Sequence, residues 1–281
     1  MCEKENQKLP KYLYKYIDWE KLYHRRMLAD REFFFAKPSS FNDPFDCLLE
    51  PDYSLLNKAQ IYKIYISHLK RDLPMANRSE IRKRAKDWQK KGLWKNEANK
   101  KRSEEWSYNY KNENLGLFCL SSKHDEILMW SHYAKGHSGL CLQFDTKRLM
   151  DDFENQLIVE GKLFEIIPIE YHLDMPIINP SEEGDDYFKR LVTIKAKRWE
   201  YENEYRIVLL GFKDNDKFLE NNERIYKYPS KAITGVYFGY NTTIETEQSI
   251  MAILREGRIQ PYFFKSKVKK NKFELEFIQI N

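Results

Sequence analysis

Short apolar segments that alternate with polar residues recur along this chain, from its first twenty residues to its last ten. Examples are GLFCLSS (116–122), EYRIVLL (204–210) and ITGVYF (233–238), and each is long enough for one strand. Segments with helical periodicity lie between them in no regular order. A regular alternation of strands and helices would indicate a doubly wound parallel sheet, whereas this order is typical of an α+β protein. We therefore predict a mixed or antiparallel central sheet with flanking helices.

The same patterns give approximate bounds for the elements. Strands are predicted at 12–17, 32–36, 116–122, 139–144, 162–171, 204–210, 233–238 and 273–280. Helices are predicted at 19–29 with Asp18 as the N-cap, at 127–134 with a cap at Asp125, at 185–197 and at 246–257. Residues 54 to about 110 are predicted to be helical, broken near Pro74 and Gly92. We interpret 1–281 as a single domain in which 54–113 is a helical insertion or subdomain.

Composition narrows the class of protein. The chain has 281 residues, of which 42% are hydrophobic and 15% aromatic, so the material for a core is ample. No apolar run approaches the length that spans a bilayer, and we expect no membrane association. The four cysteines show no CxxC spacing, which argues against a zinc ribbon and favours a reduced, cytoplasmic protein.

Positive charge is concentrated in one segment, 78–102. This segment holds eleven Lys or Arg against three acids, whereas the whole chain has a net charge of only +5. A basic helical segment can contact the phosphates of a nucleic acid or an acidic protein target. The alternative is a helix face that is simply solvated.

The stretch SFNDPF (40–45) follows a predicted strand directly. Asn42 and Asp43 precede a proline, and both residue types build turns by bonding nearby backbone amides. The alternative, functional interpretation places the two side chains at the rim of a pocket as ligand-binding groups, with Asp46 as a further carboxylate.

The stretch MWSHYAKGHSG (129–139) collects aromatic and histidine side chains. His132 could bind an anion or shuttle a proton, and Trp130 and Tyr133 could stack on a base or a nicotinamide. The five-residue spacing between His132 and His137 is awkward for two metal ligands on one helix face, so we predict no metal site from histidines alone.

The stretch KRWEYENEYRIVL (197–209) contains three alternating glutamates followed by Arg206. If the segment is extended, Glu200, Glu202, Glu204 and Arg206 share one face. The arrangement fits either an exposed edge with a salt bridge or a carboxylate that stabilises an electron-poor sugar or activates a nucleophile.

Four segments together resemble a known family. They are LYKYID (13–18), FFFAKPSSFNDPFD (33–46), FCLSSKHDEILMWSHYAKGHSGLCLQFD (118–145) and KRWEYENEYRIV (197–208). In this order they resemble the uncharacterised bacterial family named domain of unknown function 2971, from about Tyr12 to VYFG (236–239). The family name implies no reaction, and the resemblance implies a context of bacterial conflict or phage defence.

A second resemblance concerns motif layout. Mono-ADP-ribosyltransferases carry an Arg or His on an early strand, an aromatic or Ser on a middle strand and a Glu on a late strand. LYKY (13–16), FFFAKPSSF (33–41) and Glu202-x-Glu204 are similar in order, although Lys15 replaces the Arg or His. The resemblance implies NAD as cofactor. It assigns catalysis to Glu204 or Glu202 with His132, and NAD binding to Lys15, Tyr16, Asn42, Asp43, Trp130, Tyr133 and Arg206.

Two alternatives stay open at this point. In a metal-dependent nuclease of RNA or DNA, Asp43, Asp46, Glu202 and Glu204 would hold Mg²⁺ with Lys197 near the phosphate. In a non-catalytic ligand-sensing or interaction protein, Trp130, His132 and Arg206 would hold a ligand, and carboxylates all paired with Arg or Lys would favour this interpretation. Each hypothesis places the three stretches in one cleft, which requires His132 and Glu204 to lie on the same side of the sheet.

Overall fold

The computed structural model describes residues 9–49, 52–92, 101, 105, 108–109, 112–160, 163–179, 190–210 and 223–280. Within them the strands are β1 (Tyr12–Ile17), β2 (Glu32–Phe34), β3 (Leu115–Ser121), β4 (Leu140–Asp145), β5 (Leu163–Pro168), β6 (Glu170–His172), β7 (Ile194–Ala196), β8 (Glu204–Leu210), β9 (Ile225–Lys227), β10 (Ile233–Phe238), β11 (Tyr262–Val268) and β12 (Leu275–Ile280). The α-helices with given bounds are α1 (Leu22–Ala29), α2 (Lys58–Asp72), α3 (Arg78–Lys91), α4 (Ile127–Tyr133), α5 (Thr146–Glu160) and α6 (Ile244–Glu256).

Eight strands form one mixed sheet in the order β12-β11-β10-β4-β1-β3-β8-β5. All neighbouring pairs are antiparallel except β10 and β11, which run parallel. β1 lies in the interior of the sheet and pairs with β4 along its whole length, from Tyr12 opposite Asp145 to Ile17 opposite Leu140. Helices flank this sheet, so the predicted α+β class and the mainly antiparallel central sheet are confirmed.

The alternation of side chains along β1 defines the two faces of the sheet. Leu13 and Ile17 point into the largest hydrophobic cluster. Tyr14 and Tyr16 point the other way and pack in a second, aromatic cluster. Directly paired residues share a face, and Tyr14 pairs with Ser121, which in turn pairs with Glu204. Glu204 therefore projects from the same face of the sheet as Tyr14.

Helices α2 and α3 form a hairpin with a small core of its own, made by Tyr65, Leu69, Ile81 and Ala85. Asn57 begins α2 with a reciprocal capping box, and Gly92 ends α3 in a left-handed conformation with φ of 58°. The predicted helices with breaks near Pro74 and Gly92 are confirmed as far as residue 92. Most of 93–111 lies outside the described residues. None of the described helices is long and apolar enough to cross a membrane.

Several predicted bounds are wrong. The helix predicted at 185–197 ends at residue 193 in its described part, because the next three residues form β7 and pair in parallel with β6. Helix α1 begins at Leu22 rather than residue 19, since the Asp18 carboxylate accepts a bond from the Glu20 amide and builds a turn instead of a cap. Glu126, not Asp125, caps α4. No element is predicted from the sequence at α5, β9 or β11.

Candidate functional site

The three predicted stretches meet at one place in the structure. Asn42 Nδ2 donates to the Tyr133 hydroxyl at 3.4 Å, and this hydroxyl donates to Glu202 Oε1 at 2.5 Å. Arg206 Nη2 donates to Asp46 Oδ2 at 2.6 Å. The loop that follows β2, the end of α4 and the segment that enters β8 are thus joined by side-chain hydrogen bonds.

Five charged side chains form the centre of this site, and we call them the ion cluster: Asp46, Lys195, Glu202, Glu204 and Arg206. All five are buried, and Arg206 is 0% exposed. Arg206 Nε donates to Glu204 Oε1 at 2.7 Å, while Lys195 Nζ donates to Glu204 Oε2 at 2.9 Å and also to Glu202. Each of the three carboxylates therefore contacts at least one of the two cations, which is what buried charge requires.

The two glutamates of the ion cluster differ in their pKa. Burial alone would raise the pKa of Glu204, but the adjacent charges of Arg206 and Lys195 outweigh it and hold that pKa well below its usual range. For Glu202, burial raises the pKa, Lys195 lowers it and the negative charge of Glu204 raises it, with a net increase. Of the two glutamates, Glu202 is therefore protonated first as the pH falls.

Local backbone geometry separates the glutamates that the sequence pattern grouped together. Lys197–Glu202 form a 3₁₀ turn, and Asn203 follows in a left-handed conformation with φ of 44° before β8 begins. The prediction that Glu200, Glu202, Glu204 and Arg206 share one extended face is therefore wrong. Glu204 and Arg206 share a strand face, Glu202 reaches the ion cluster from the turn, and Glu200 is exposed and pairs with Lys197 at 2.7 Å.

Lys195 is the member of the ion cluster that sequence reasoning missed. It lies on β7, its side chain is 5% exposed, and its Nζ lies 5.1 Å from the centre of the Trp199 ring. Burial would lower its pKa, but the charges of Glu204, Glu202 and Asp46 raise it, so the ammonium stays charged. The available signal was a single lysine between Ile194 and Ala196, because a buried lysine in an apolar strand needs a carboxylate partner.

Four polar or aromatic side chains lie between the ion cluster and solvent, and we call them the rim: Asn42, His132, Tyr133 and Tyr201. Asn42 and His132 are exposed, whereas the two tyrosines are half-buried. A ring nitrogen of His132 hydrogen-bonds with the Tyr201 hydroxyl at 3.1 Å. His132 is thus on the same side of the sheet as Glu204, as the single-cleft expectation requires.

Asp43 lies beside the rim and is incompletely satisfied. Its Oδ1 accepts a bond from the Phe45 amide at 3.0 Å, which builds the predicted turn. Its Oδ2 is buried and has no hydrogen-bond partner among the described residues.

Three predicted cofactor-binding residues lie away from the rim. Trp130 is fully buried, donates its indole N–H to His124 O at 2.8 Å and packs edge-on against Tyr16. Tyr16 is also buried and donates to Lys123 O. Lys15 belongs to the opposite face of β1, and its Nζ donates to Cys119 O at 2.8 Å. As placed, these side chains pack or brace the sheet, and neither ring face of Trp130 is open to a ligand.

The second half of the 129–139 stretch is a tightly packed loop. A Cβ atom on Gly139 would lie 2.1 Å from Ile17 O, so only glycine fits there. His137 has a φ of 66°, and its carbonyl accepts a bond from the Asn241 amide at 2.8 Å. Packing therefore explains the second half of the stretch. The first half contributes the side chains of His132 and Tyr133 to the site.

The donor set of the ion cluster does not suit a divalent metal. Among the described residues, no group of three or more His, Cys, Asp or Glu side chains is arranged to hold a metal ion. The carboxylates of Asp46, Glu202 and Glu204 do converge, but they converge on Lys195, whose ammonium occupies the position a cation would take.

The fold and the site define an α+β protein with a polar rim over a buried ion cluster. The family model described as "Protein of unknown function (DUF2971)" matches residues 129–207. The predicted resemblance to this family is thereby confirmed over a range that includes His132, Tyr133, Lys195, Glu202 and Arg206, whereas the loop with Asn42 and Asp46 precedes it. The family description gives no activity. Neither the curated proteins nor the solved structures gave a match.

Proposed function

We propose that the protein binds a hydroxyl-bearing ligand of the ribose class at the rim and does not turn it over. The observation that carries this proposal is the pairing of every carboxylate in the ion cluster with Lys195 or Arg206. A carboxylate that activates a nucleophile or stabilises an oxocarbenium ion must contact the reacting atoms. Glu204 is held by two cations and is buried, so it serves to fix its neighbours in position.

The chemistry of the rim indicates the ligand class. The exposed amide of Asn42 offers both a donor and an acceptor, and the Tyr133 hydroxyl lies between that amide and Glu202. A sugar hydroxyl can replace the weak 3.4 Å contact between Asn42 and the Tyr133 hydroxyl. His132 adds an exposed imidazole that can contact a phosphate.

Calorimetric titration of the full chain with NAD and with ADP-ribose tests the proposal, together with an assay for released nicotinamide. We expect binding without nicotinamide release, and weaker binding by Asn42→Ala and Tyr133→Phe. Glu200→Gln is the control. Glu200 lies on the 3₁₀ turn that also carries Glu202, but its side chain is exposed and pairs with Lys197. Failure of the folded protein to bind either compound overturns the ribose-class proposal, and equal weakening by Glu200→Gln overturns the assignment to the rim.

An NAD-dependent ADP-ribosyltransferase is the second candidate function. Two features favour it: burial and the neighbouring charge of Glu204 raise the pKa of Glu202, and Tyr133 links Glu202 to the exposed Asn42. Nicotinamide release that is lost in Glu202→Gln and retained in Glu200→Gln would establish this candidate and reject the non-catalytic one. The nuclease alternative with Mg²⁺ gains no support from the donor set around Lys195.

We further propose a cytoplasmic location and a role in bacterial defence. The three described cysteines, Cys47, Cys119 and Cys141, form no disulfide within the described part of the chain, which supports a reducing, cytoplasmic environment. A ligand-sensing role suits a bacterial anti-phage defence system, where a bound nucleotide-like signal would report infection. A nucleic acid or an acidic protein is the partner class that the basic segment at 78–102 suggests.

A further inference from the structure

A groove of about 400 Å³ lies between α2 and α3, lined by Lys58, Ala59, Tyr62, Lys86 and Gln89. The Gln89 side chain donates to Lys58 O at 2.7 Å and ties the two helices together at this point. Tyr62 is half-buried, and Lys58 and Lys86 are exposed. The groove therefore combines an aromatic ring with two ammonium groups on a fixed pair of helices.

One flank of α3 continues this positive charge along the helix. Arg78, Arg82, Lys86 and Lys90 recur at every fourth position and are all exposed; we call them the basic stripe. Side chains four residues apart on a helix are neighbours, so each member lies next to another cation. Like charges at this spacing destabilise a helix, and no ion pair within the described part of the chain offsets that cost.

The acids of α3 do not neutralise the basic stripe. Glu80 pairs with Arg84 at 2.7 Å and Asp87 pairs with Lys91 at 2.8 Å, both on the other flank of the helix. Ile81 and Ala85 occupy the buried face. The members of the basic stripe make no ion pair with any residue in the described part of the chain.

We propose that the groove and the basic stripe bind a single-stranded nucleic acid, with a base against Tyr62 and phosphates along α3. Aromatic rings that stack bases and cations that follow the backbone are the two components of such sites. Fully paired bases would not be free to enter the groove, and an acidic peptide would have no use for the aromatic ring. This surface lies apart from the rim, and the inference does not depend on the ligand proposed there.

The test is fluorescence anisotropy of the full chain with labelled oligo-U and oligo-dT of about 12 nucleotides, a length within the range of single-strand sites. A duplex and an oligo-glutamate peptide of similar charge serve as competitors. We expect the single strands to bind at about 50 mM salt, with log Kd rising as log salt rises. The double variant Arg82→Gln/Lys86→Gln should reduce this slope by about 1.4, since each contact to a single strand contributes about 0.7.

Two variants make the test specific. Tyr62→Leu keeps an apolar side chain against the hairpin core and removes the stacking surface, and we expect about a tenfold loss of affinity. Lys267→Gln/Lys270→Gln removes two exposed charges at β11 and the turn after it, and should leave both slope and affinity nearly unchanged. The proposal is overturned if the control lowers the slope equally, if Tyr62→Leu binds normally, if oligo-glutamate or duplex binds more tightly, or if no single strand binds.

Discussion

The ion cluster and the basic stripe hold charge in opposite ways. In the ion cluster, each of three buried carboxylates lies within hydrogen-bonding distance of at least one of two buried cations. In the basic stripe, four cations stand in solvent on one flank of α3 and have no acidic partner among the described residues. The charges of the ion cluster are neutralised by side chains of the protein itself, whereas those of the basic stripe are available to an external anion.

The difference shows what burial does to the same residue types. A buried charge without a partner costs several kcal/mol, so the protein itself must supply the partner. An exposed charge costs little, and an exposed ion pair contributes little, so a cation in solvent can be left for a ligand. We therefore assign the ion cluster to the support of a site and the basic stripe to contact with a partner.

The largest expected effect is a difference in unfolding free energy between substitution of a buried arginine in the ion cluster and of an exposed arginine in the basic stripe. Arg206→Met leaves Asp46 and Glu204 without their principal partner, and we expect it to lower the free energy of unfolding by about 3–5 kcal/mol. Arg82→Met on the basic stripe should change it by no more than about 0.5 kcal/mol. Denaturant unfolding of both variants measures the difference, and similar losses would contradict the distinction drawn here.

The two glutamates of the ion cluster should respond differently to substitution. Glu204→Gln loses charge-assisted bonds from Arg206 and Lys195, and we expect a loss of about 3 kcal/mol near neutral pH. Glu202→Gln replaces a carboxylate whose pKa is raised and should cost about 1 kcal/mol or less. Thermal unfolding midpoints report the order, and a larger loss for Glu202→Gln would reverse our assignment of the two pKa directions.

The stability contributions of Glu204 and Glu202 should depend on pH in opposite directions. The pKa of Glu204 is lower in the folded than in the unfolded state, so its stabilisation is present above about pH 4.3 and is lost as the pH falls below that value. Glu202 has the higher pKa in the folded state, and its contribution is present below about pH 4.3 and is lost as the pH rises through the folded pKa. The deficit of Glu204→Gln should therefore shrink on acidification, which unfolding curves at several pH values would show.

Tyr133 connects the ion cluster to solvent, and its hydroxyl is the next test. Tyr133→Phe keeps the ring and removes the bond to Glu202, so we expect a loss of about 1.5–2 kcal/mol in the free energy of unfolding. Tyr201→Phe is the control, because among the described residues that hydroxyl bonds with the exposed His132 and not with the ion cluster. Equal effects of the two substitutions would show that the Glu202 bond is not special.

The smallest expected effect concerns α3. Glu80→Gln breaks the exposed pair with Arg84, and stability should fall by no more than about 0.5 kcal/mol. The same change removes a negative charge from α3 and leaves Arg84 without its carboxylate partner, so affinity for oligo-U should rise about twofold. Anisotropy and denaturant unfolding on one preparation measure both, and weaker binding would contradict the proposed contact with phosphates.

Much of the fold follows from local pattern, because a short apolar run bounded by polar residues or turn formers marks a strand that the sheet buries. β1, β8 and β10 have the bounds that the sequence predicts. The errors fall where tertiary contacts decide. β7 is three residues long and exists through its pairing with β6, and β11 takes its parallel position beside β10 from pairings that its own residues do not encode.

The site was also predictable only where its residues form a local pattern in the sequence. The stretches with Asn42, Tyr133 and Glu202 stand out because polar and aromatic residues cluster at the ends of strands. Lys195 does not stand out, since a single lysine in a short apolar run has no local partner. The pairing of Lys195 with Glu202 and Glu204 depends on a 3₁₀ turn where the pattern indicated an extended chain. Periodicity cannot report a partner that a turn supplies.

The contact between Asp46 and Arg206 spans 160 positions along the chain. During synthesis, the ribosome must therefore add more than half of the protein before the aspartate can meet its guanidinium. Until then, burial of the unpaired Asp46 carboxylate is unfavourable, so the loop that carries it should remain exposed to solvent. Contacts of such long range slow folding and leave intermediates exposed. We expect the nascent chain to acquire protease resistance in this loop only after β8 has emerged, which makes the ion cluster a late checkpoint of folding.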